Sequence, residues 1–546
     1  MKDFISNYWS LFVAIAIFWI SLSLLVIVSF SMNNGLMVYA LDDAYIHMSI
    51  AKNVALHGVW GITRYGFSSS TSSPFWVLLL ALAYLVFGVN ELAPILLNIL
   101  FGTIAIAVAY CFLIKYIKSP LVVLMIMMMA IFFACLPSLS VAGMEHNFHI
   151  FLVISFVAIS VSVLADSGKR FGRSSILLLL IAPVLAMTRY EGLFLIFVVT
   201  VLLILRKKWL VALAVAFWGI LPVTIYGVWS ISNGWYFFPN SILLNGIMPY
   251  SAQGGMAYLM GGHALILILG NLHTLFMFII SLYIMFSYKR NHAGCDETLY
   301  AVVIFVSTMF IHMQFATSIG KGAFYRYEDY LIFWGIIVLS VGISKSITIS
   351  KTKLIKNEVV GIVCASVLML IIVLGPFGVR ARTAFVKTPQ ATNNTYEQQY
   401  QMGLFLREYY SGNTIALNDI GAANFLADIK LLDLWGLGSI ESIRLRRLGN
   451  FNTEEVLNLC RNRGVEIAIL YDSWLNGKVI GGIPSGFKKC GQWTINDNVI
   501  CGDKTVSIYS VDLLTADKLI HDLKSFATQL PMDVQQSGLY TLNQQN

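Results

Sequence analysis

Charge is scarce in this sequence. Only 12% of its 546 residues are Asp, Glu, Lys or Arg, whereas soluble domains carry about 25%. Hydrophobic residues make up 58% of the chain, and the mean hydropathy is +0.75. Charge-free stretches such as 92–114, 209–230 and 359–379 reach the roughly 20 residues that a helix needs to cross a bilayer. This composition excludes an ordinary soluble protein and predicts a polytopic α-helical membrane protein.

Cysteine is also sparse. Seven cysteines are scattered along the chain without a CxxC pair, which excludes a disulfide framework or a zinc site of the usual spacing. Cys490 and Cys501 flank an expected hairpin and can pair in an oxidising compartment, which the sequence leaves open. The net charge of +8 does not indicate a nucleic-acid partner. Most basic residues before residue 380 fall in short loops between spans, where membrane orientation explains them.

The loops between the apolar segments differ in their content of basic residues. One set holds fourteen Lys and Arg and the alternate set holds five, and basic loops mark the cytoplasmic side. The alternation requires that 74–87, which has only 14 residues, does not cross the membrane. We therefore predict an inner-membrane (cytoplasmic-membrane) protein with a cytoplasmic N-terminus and a juxtamembrane helix at 74–87.

About eleven spans follow from this pattern. They lie near 9–30, 92–114, 120–137, 147–165, 174–188, 192–205, 209–230, 264–288, 298–318, 328–344 and 358–379. The fifth and sixth are short, so a re-entrant hairpin is the alternative there. Residues 1–380 form the expected transmembrane module, whose first outer loop, 31–91, carries juxtamembrane helices.

The composition changes after residue 380, where hydrophobic runs shorten and Asn, Gln, Asp and Lys become common. Residues 381–546 are predicted to form a soluble α/β domain on the periplasmic or extracellular side. Its expected strands are 414–417, 431–434, 466–470 and 506–509, and its expected helices lie near 395–410, 453–463 and 516–530.

Two adjacent acids, Asp42 and Asp43, open an amphipathic pattern just past the first apolar segment. Ile46, Ile50 and Val54 recur at four-residue spacing, which predicts a helix lying on the membrane surface. Paired acids raise each other's proton affinity, and such pairs typically bind a cation or take a proton from a substrate. The alternative is that they only cap a helix.

Further ionisable residues fall on the same outer side. Arg189 can clamp a phosphate or only form an ion pair with Glu191. Lys321, Arg326 and Glu328 lie among tyrosines that either hold an anionic head group or form an interfacial belt. Glu145 can join Asp43 around Mg²⁺ or Mn²⁺, since these cations favour carboxylate oxygens, or it can cap its helix.

Several short motifs are similar to those of a known family. They are Asp42-Asp43-Ala44-Tyr45-Ile46, Thr71-Ser72-Ser73-Pro74-Phe75-Trp76, Gly143-Met144-Glu145-His146, Thr188-Arg189-Tyr190-Glu191-Gly192, Phe238-Pro239-Asn240-Ser241, Asn418-Asp419-Ile420-Gly421-Ala422 and Asp433-Leu434-Trp435-Gly436-Leu437. In this order they resemble the GT-C superfamily of membrane glycosyltransferases, in particular the branch with the mycobacterial terminal arabinofuranosyltransferase. Tyr190 stands where that branch has proline, and His146 where it has threonine.

The resemblance implies an inverting hexosyl- or pentosyltransferase working at the outer membrane face. Its donor would be a polyprenyl-phosphate-linked sugar, and its acceptor a glycan or glycolipid of the cell wall or lipopolysaccharide. Asp42 matches the general base and Asp43 its partner. Residues expected to hold the donor phosphate are Arg64, Arg189, Lys321 and Arg326. Residues expected to contact substrate are Tyr45, Glu145, Tyr190, Glu191, Asn240 and Glu328, with Asp43 and Glu145 as candidate ligands of a divalent cation.

Two other classes of function remain open at this stage. A transporter or flippase of a lipid-linked saccharide would place ionisable residues near the centres of several spans and would show internal symmetry, and the sequence has neither. An envelope scaffold would use the outer domain to bind partners without any chemistry at the acid pair.

Overall fold

The computed structural model describes residues 2–166, 168, 171–245, 272–291, 296–315, 323–350, 356–476 and 480–541. Its first part is helical, with α1 (Lys2–Met32), α2 (Asp42–His57), α3 (Pro74–Phe87), α4 (Ala93–Leu113), α5 (Pro120–Phe133), α6 (Leu136–Val141), α7 (His146–Ala165), α8 (Arg173–Thr188), α9 (Gly192–Leu205), α10 (Trp209–Ser232), α11 (Asn240–Asn245), α12 (Leu272–Asn291), α13 (Glu297–Phe315), α14 (Asp329–Ser350) and α15 (Lys356–Thr395).

Within the described residues, α1, α4, α7 and α10 are long and apolar enough to cross a membrane, and further apolar helices are shorter. Most expected spans fall on these helices, but the third, 120–137, is divided between α5 and α6, and the eleventh, 358–379, is part of the longer helix α15. Residues 264–271 of the eighth span and 316–318 of the ninth lie outside the described residues. The prediction of a multi-pass helical membrane protein is confirmed.

Contacts between loops define two ends of the helical part. At one end, Lys345 pairs with Asp296 at 2.9 Å, the hydroxyl of Tyr116 donates to Glu297 at 2.5 Å, and Lys208 donates to the Gly168 carbonyl at 2.9 Å. This end gathers loops that the sequence marks as basic. The acid pair instead contacts Arg326, in a loop that the sequence marks as poor in basic residues. The side of the membrane on which each group of loops lies stays a prediction.

Helix α3 begins and ends at the same end of the helical part. Just before it, Thr71 Oγ1 lies 3.0 Å from Nδ1 of His47 in α2. Just after it, the Glu91 carbonyl accepts a hydrogen bond of 2.5 Å from Tyr39, whose ring contacts that of Tyr45. Fourteen residues of helix span only about 21 Å, less than a hydrocarbon core of roughly 30 Å. Because α5 and α9 are equally short, length alone does not distinguish α3 from the spans, and the non-crossing 74–87 segment stays a prediction.

The expected division at residue 380 falls inside α15, which continues as helix to Thr395. A five-residue π-helical turn, Tyr396–Tyr400, then leads into α16 (Gln401–Tyr409). The chain therefore passes from the apolar part into the polar part as a continuous helix. The exact domain boundary stays a prediction.

The polar part contains a six-stranded mixed sheet. Its strands are β1 (Thr414–Leu417), β2 (Lys430–Asp433), β3 (Ile467–Leu470), β4 (Lys488–Thr494), β5 (Thr505–Ser510) and β6 (Gln535–Gly538), in the order β2-β1-β3-β5-β4-β6. β1 pairs in parallel with β2 and β3, and the remaining pairings are antiparallel. The helices are α17 (Gly421–Leu426), α18 (Ile440–Leu448), α19 (Thr453–Asn462), α20 (Asp472–Leu475) and α21 (Ala516–Phe526).

This arrangement confirms the predicted α/β fold of the C-terminal part. The four expected strands are present, whereas β4 and β6 were missed, because two lysines and a glycine interrupt β4 and β6 has no apolar residue. Cys490 and Cys501 are both free thiols, so the optional disulfide is not formed.

Helix α2 joins the two parts of the molecule. Asp42 accepts hydrogen bonds from the first backbone N–H groups of α17, and the Lys52 ammonium donates to the Phe425 carbonyl at its last turn, at 2.6 Å. An acid at the N-terminus and a base at the C-terminus both complement the helix dipole. Residues 44–51 of α2 are buried. The helix is therefore enclosed between α3 and the polar part. Its expected position on the membrane surface stays a prediction.

Candidate active site

Asp42 lies at the carboxyl end of β1, where α2 meets the polar domain. Its Oδ2 accepts from the Gly421 N–H at 2.7 Å and its Oδ1 from the Ala422 N–H at 2.8 Å. Gly421 is required there, since a Cβ atom would lie 2.0 Å from the Asp42 carbonyl oxygen. Each carboxylate oxygen has two lone pairs, so both retain capacity to accept a further proton.

Burial raises the pKa of Asp42 to about 7, and the nearby carboxyl of Asp419 adds to the rise, against the two N–H groups of α17 that lower it. Burial also raises the pKa of Asp419. The Asp419 carboxylate accepts hydrogen bonds from the Tyr471 hydroxyl at 2.5 Å and from Gln399 Nε2 at 2.8 Å. A carboxyl group whose pKa lies near neutrality is well suited to general-base catalysis.

Asp43 faces the helical part. Its Oδ2 lies 2.6 Å from Nη2 of Arg326, and the side chains are 39% and 12% exposed respectively. The Arg326 guanidinium also lies over the Tyr327 ring, 5.2 Å from its centroid. Just before it, Phe324 and Tyr325 both have a φ of 57°, a left-handed conformation that is costly for bulky side chains and is often found at functional sites. Lys321 lies outside the described residues.

A second charged cluster lies beside the first. Arg189 is buried and donates to Glu145 at 2.9 Å and to Glu191 at 2.7 Å. His47, one helical turn after Asp43, has its Nε2 3.9 Å from the other Glu145 oxygen. The ion-pair alternative for Arg189 and Glu191 is therefore present in the structure and extends to Glu145. A role of Arg189 toward phosphate stays a prediction.

The two candidate metal ligands are each paired with an arginine, Asp43 with Arg326 and Glu145 with Arg189. Over the described ranges, no group of three or more His, Cys, Asp or Glu side chains could hold a metal ion. The donor set described does not fit a divalent cation, because its carboxylates are already neutralised by guanidinium groups. The divalent cation stays a prediction.

The remaining expected site residues have varied surroundings. Tyr45 is fully buried and packs against the Phe425 ring at 5.8 Å. Asn240 donates from its side chain to the Gly436 carbonyl at 2.8 Å, and the Tyr190 ring contacts Phe238 at 6.3 Å. Glu328 pairs with Arg380 at 2.8 Å. Arg64 pairs with Asp428 at 2.6 Å on the exposed surface.

Asp419 belongs to one of the sequence motifs, but its role at the site was not predicted. A polar residue directly after the buried strand β1 was the available signal, because the carboxyl ends of parallel strands commonly carry functional side chains. His47 was missed as well, although its spacing of four from Asp43 places both on one helix face.

Residues 390–509 match a family described as a domain of unknown function (DUF8728). Among curated proteins, none matches this chain. Similar solved structures include ArnT from Cupriavidus metallidurans bound to undecaprenyl phosphate, which is 11% identical over 90% of this chain and 98% of that chain, with a TM-score of 0.49. The apo state of the same protein is 12% identical over 91% and 98% respectively, also with a TM-score of 0.49.

Proposed function

We propose that this protein is an inverting membrane glycosyltransferase. It transfers a sugar from a polyprenyl-phosphate-linked donor to a cell-envelope glycan or glycolipid, with Asp42 as general base. The site and the polar domain are proposed to lie on the periplasmic or extracellular side of the inner membrane.

One observation carries the proposal: motifs scattered over residues 41–437 meet around α2. His47 contacts Thr71 at 3.0 Å, and Glu145, 3.9 Å from His47, binds Arg189. On the other side of the helix, Asp42 binds the Asn418–Ala422 motif. Asn240 links the Phe238–Ser241 motif to Gly436. Motifs that converge on one place are expected of a shared site.

The chemistry assigned to Asp42 is proton removal. As an acceptor hydroxyl oxygen attacks the anomeric carbon of the donor sugar, its proton passes to an Asp42 carboxylate oxygen. The bond between that carbon and the phosphate oxygen breaks, and polyprenyl phosphate leaves with one additional negative charge. Attack opposite the leaving group inverts the anomeric centre.

Arg326 is proposed to stabilise the charge on the leaving phosphate. A guanidinium group binds phosphate through two parallel hydrogen bonds, and Nε of Arg326 is buried with no hydrogen-bond partner among the described residues. Asp43 would keep Arg326 oriented until the donor arrives. This assignment explains why the two adjacent acids have different partners. Asp42 faces the acceptor, and Asp43 orients the Arg326 guanidinium that binds the donor phosphate.

The test is Asp42→Asn, with Asp428→Asn as the control. Asp428 lies in the polar domain and pairs with Arg64, and both side chains are at the exposed surface. The purified proteins would be supplied with the lipid fraction and envelope glycans of a deletion strain, where both substrates should accumulate. We expect Asp42→Asn to abolish transfer and Asp428→Asn to retain it.

Folding of Asp42→Asn would be checked by thermal unfolding. The neutral amide loses one hydrogen bond to α17 but removes the cost of burying an ionised carboxylate, so the melting temperature at about pH 8 should change little. Near-normal turnover by a folded Asp42→Asn protein would rule out Asp42 as the base.

A further inference from the structure

One face of helix α18 carries two exposed arginines and an exposed leucine. Arg444, Arg447 and Leu448 follow the three- and four-residue spacing that places side chains on one side of a helix. All three are exposed, Leu448 to 72%. Among the described residues, the acid of this helix, Glu441, pairs with Arg463 at 3.6 Å and leaves both arginines un-neutralised. We call Arg444, Arg447 and Leu448 the α18 patch.

The other side of α18 is fixed in the polar domain. Ser442 and Ile443 are buried. The Arg446 guanidinium lies 4.0 Å from the centroid of the Trp435 ring and donates to the Trp435 carbonyl at 2.6 Å. Gly449 ends the helix with a φ of 74°, a left-handed conformation that glycine adopts without strain. The patch therefore keeps one orientation, which lowers the ordering cost of binding.

Helix α10 shows where the bilayer ends next to α18. Its exposed side chains, Thr224 excepted, are apolar from Leu210, which is 77% exposed, to Ile231, which is 54% exposed. At about 1.5 Å per residue these two positions lie about 32 Å apart along the helix, close to the hydrocarbon thickness of roughly 30 Å. The next two residues, Ser232 and Asn233, are polar and exposed. The surface of the hydrocarbon region therefore lies near Ile231.

The α18 patch lies at this level. Nη2 of Arg444 donates to the Gly234 carbonyl at 2.7 Å, and the Arg447 guanidinium lies 4.6 Å from the centroid of the Tyr236 ring. Gly234 and Tyr236 follow directly after α10. Trp229, in the last turn of α10, is 42% exposed, and tryptophan and tyrosine are enriched at membrane interfaces. The patch is therefore placed beside lipid head groups, a few residues beyond the hydrocarbon.

The chemistry of the patch suits an anionic phospholipid. Guanidinium groups bind phosphate through parallel hydrogen bonds, and anionic head groups attract basic residues that lie next to the membrane. Leu448 can insert among the upper methylenes of the acyl chains, as the apolar residues of interfacial helices do. A soluble polyanion would offer no apolar surface to Leu448, whereas a lipid surface offers both charge and hydrocarbon.

We propose that the α18 patch binds anionic phospholipids in the leaflet next to the polar domain. The head groups hold α18 against the end of α10 and so fix the polar domain at the membrane surface. This interaction goes beyond the proposed transfer reaction and does not depend on it, and its test measures no transfer.

The experiment uses the full-length protein in nanodiscs of two compositions. One contains phosphatidylcholine alone, and in the other a third of it is replaced by phosphatidylglycerol. Hydrogen–deuterium exchange of residues 440–449 measures how often α18 opens. The variant is Arg444→Gln with Arg447→Gln. Its control is Lys518→Gln with Lys524→Gln, which removes the same charge from exposed positions of α21 in the same domain.

We expect phosphatidylglycerol to slow the exchange of 440–449 in the wild type at least about fivefold, the factor that one arginine near an anionic surface contributes. Helix α19 of the same protein should exchange equally in both membranes. The double arginine variant should lose the slowing, and the double lysine variant should keep it. About 1 M NaCl should remove it, because the Debye length is then about 3 Å.

Two parts of the test do not need the double arginine variant to fold. The comparison between membranes and the effect of salt both use the wild type. Arg447→Gln alone keeps the hydrogen bond from Arg444 to Gly234 and should show only part of the slowing.

Three outcomes would overturn the proposal. They are equal exchange of 440–449 in the two membranes, full slowing in a folded double arginine variant, and equal slowing of α19, which would indicate a general effect of membrane charge. Inorganic phosphate added to nanodiscs of phosphatidylcholine alone should change nothing. If it slowed the exchange, the patch would be an anion site that needs no lipid, and the proposal would also fail. The transferase is tested separately by Asp42→Asn.

Discussion

The raised pKa of Asp42 allows us to predict how the rate of transfer depends on pH. With a pKa of about 7, the carboxyl group is half ionised at neutral pH. At about pH 6 only roughly a tenth of it can act as base, and at about pH 5 roughly a hundredth. The sign follows from the role: a base works only when deprotonated, so kcat/KM should rise with pH and level off above neutrality. An ordinary aspartate would give a flat profile over this range.

The perturbation is Asp419→Asn, which removes a like charge beside Asp42 while keeping an oxygen that can accept from Tyr471. Ionised Asp42 then becomes less costly, so its pKa should fall. We expect the midpoint of the profile to move by about one pH unit toward acid, equivalent to about 1.4 kcal/mol. Rates at acidic pH should rise accordingly.

The assay is the initial rate of sugar transfer from the lipid-linked donor in proteoliposomes, from about pH 5 to about pH 9. Asp428→Asn serves as the control, since its carboxylate pairs with Arg64 at the exposed surface. A flat wild-type profile would refute the raised pKa of Asp42, whereas the Asp42→Asn variant tests its role as base. A midpoint that stays in place in Asp419→Asn would refute the coupling between the two carboxyls.

Three further outcomes follow from the contacts. Gly421→Ala should lower transfer at least about tenfold and expose the polar domain to protease, because the new Cβ atom would collide with the Asp42 backbone. Gly66→Ala should have neither effect, since a Cβ atom there would meet no other atom. Arg326→Lys should raise the donor KM about tenfold through loss of the planar fork, measured by donor titration. Arg463→Lys, at an arginine that pairs with Glu441 on the exposed surface, should not, and equal effects would contradict the assignment to Arg326. Transfer should persist in EDTA, since Asp43 and Glu145, the two candidate metal ligands, are both paired with arginines. If EDTA abolished transfer and Mg²⁺ or Mn²⁺ restored it, a divalent cation would be required and this prediction would be wrong.

Many helices of the apolar part were predictable because long hydrophobic runs favour helices that contact lipid. The bounds of α3 and α9 match the expected 74–87 and 192–205 segments, and α10 differs from 209–230 by two residues. Strand β6 could not be predicted in this way. Its residues Gln535–Gly538 are polar and pair with β4 through the backbone, which leaves no side-chain pattern.

The sequence predicted which residues of the site carry the chemistry, but not which hydrogen-bond or ion-pair partner each of them has. Asp42 and Asp43 stood out because adjacent acids beside an apolar segment are costly. Their different partners, α17 for one and Arg326 for the other, were not visible in the sequence, since they lie 379 and 283 residues away along the chain. The burial of α2 by other parts of the protein was not visible for the same reason. Its apolar residues pack against a domain that the local pattern cannot reveal.

The sequence by itself determined that this chain is a multi-pass helical protein with a C-terminal α/β part, because hydropathy and alternation act over a few neighbouring residues. Only the tertiary structure decided which acid has a pKa near neutrality and which distant groups the two adjacent acids contact. Those properties depend on burial and on charges brought together from distant segments, and burial exists only once the chain has folded.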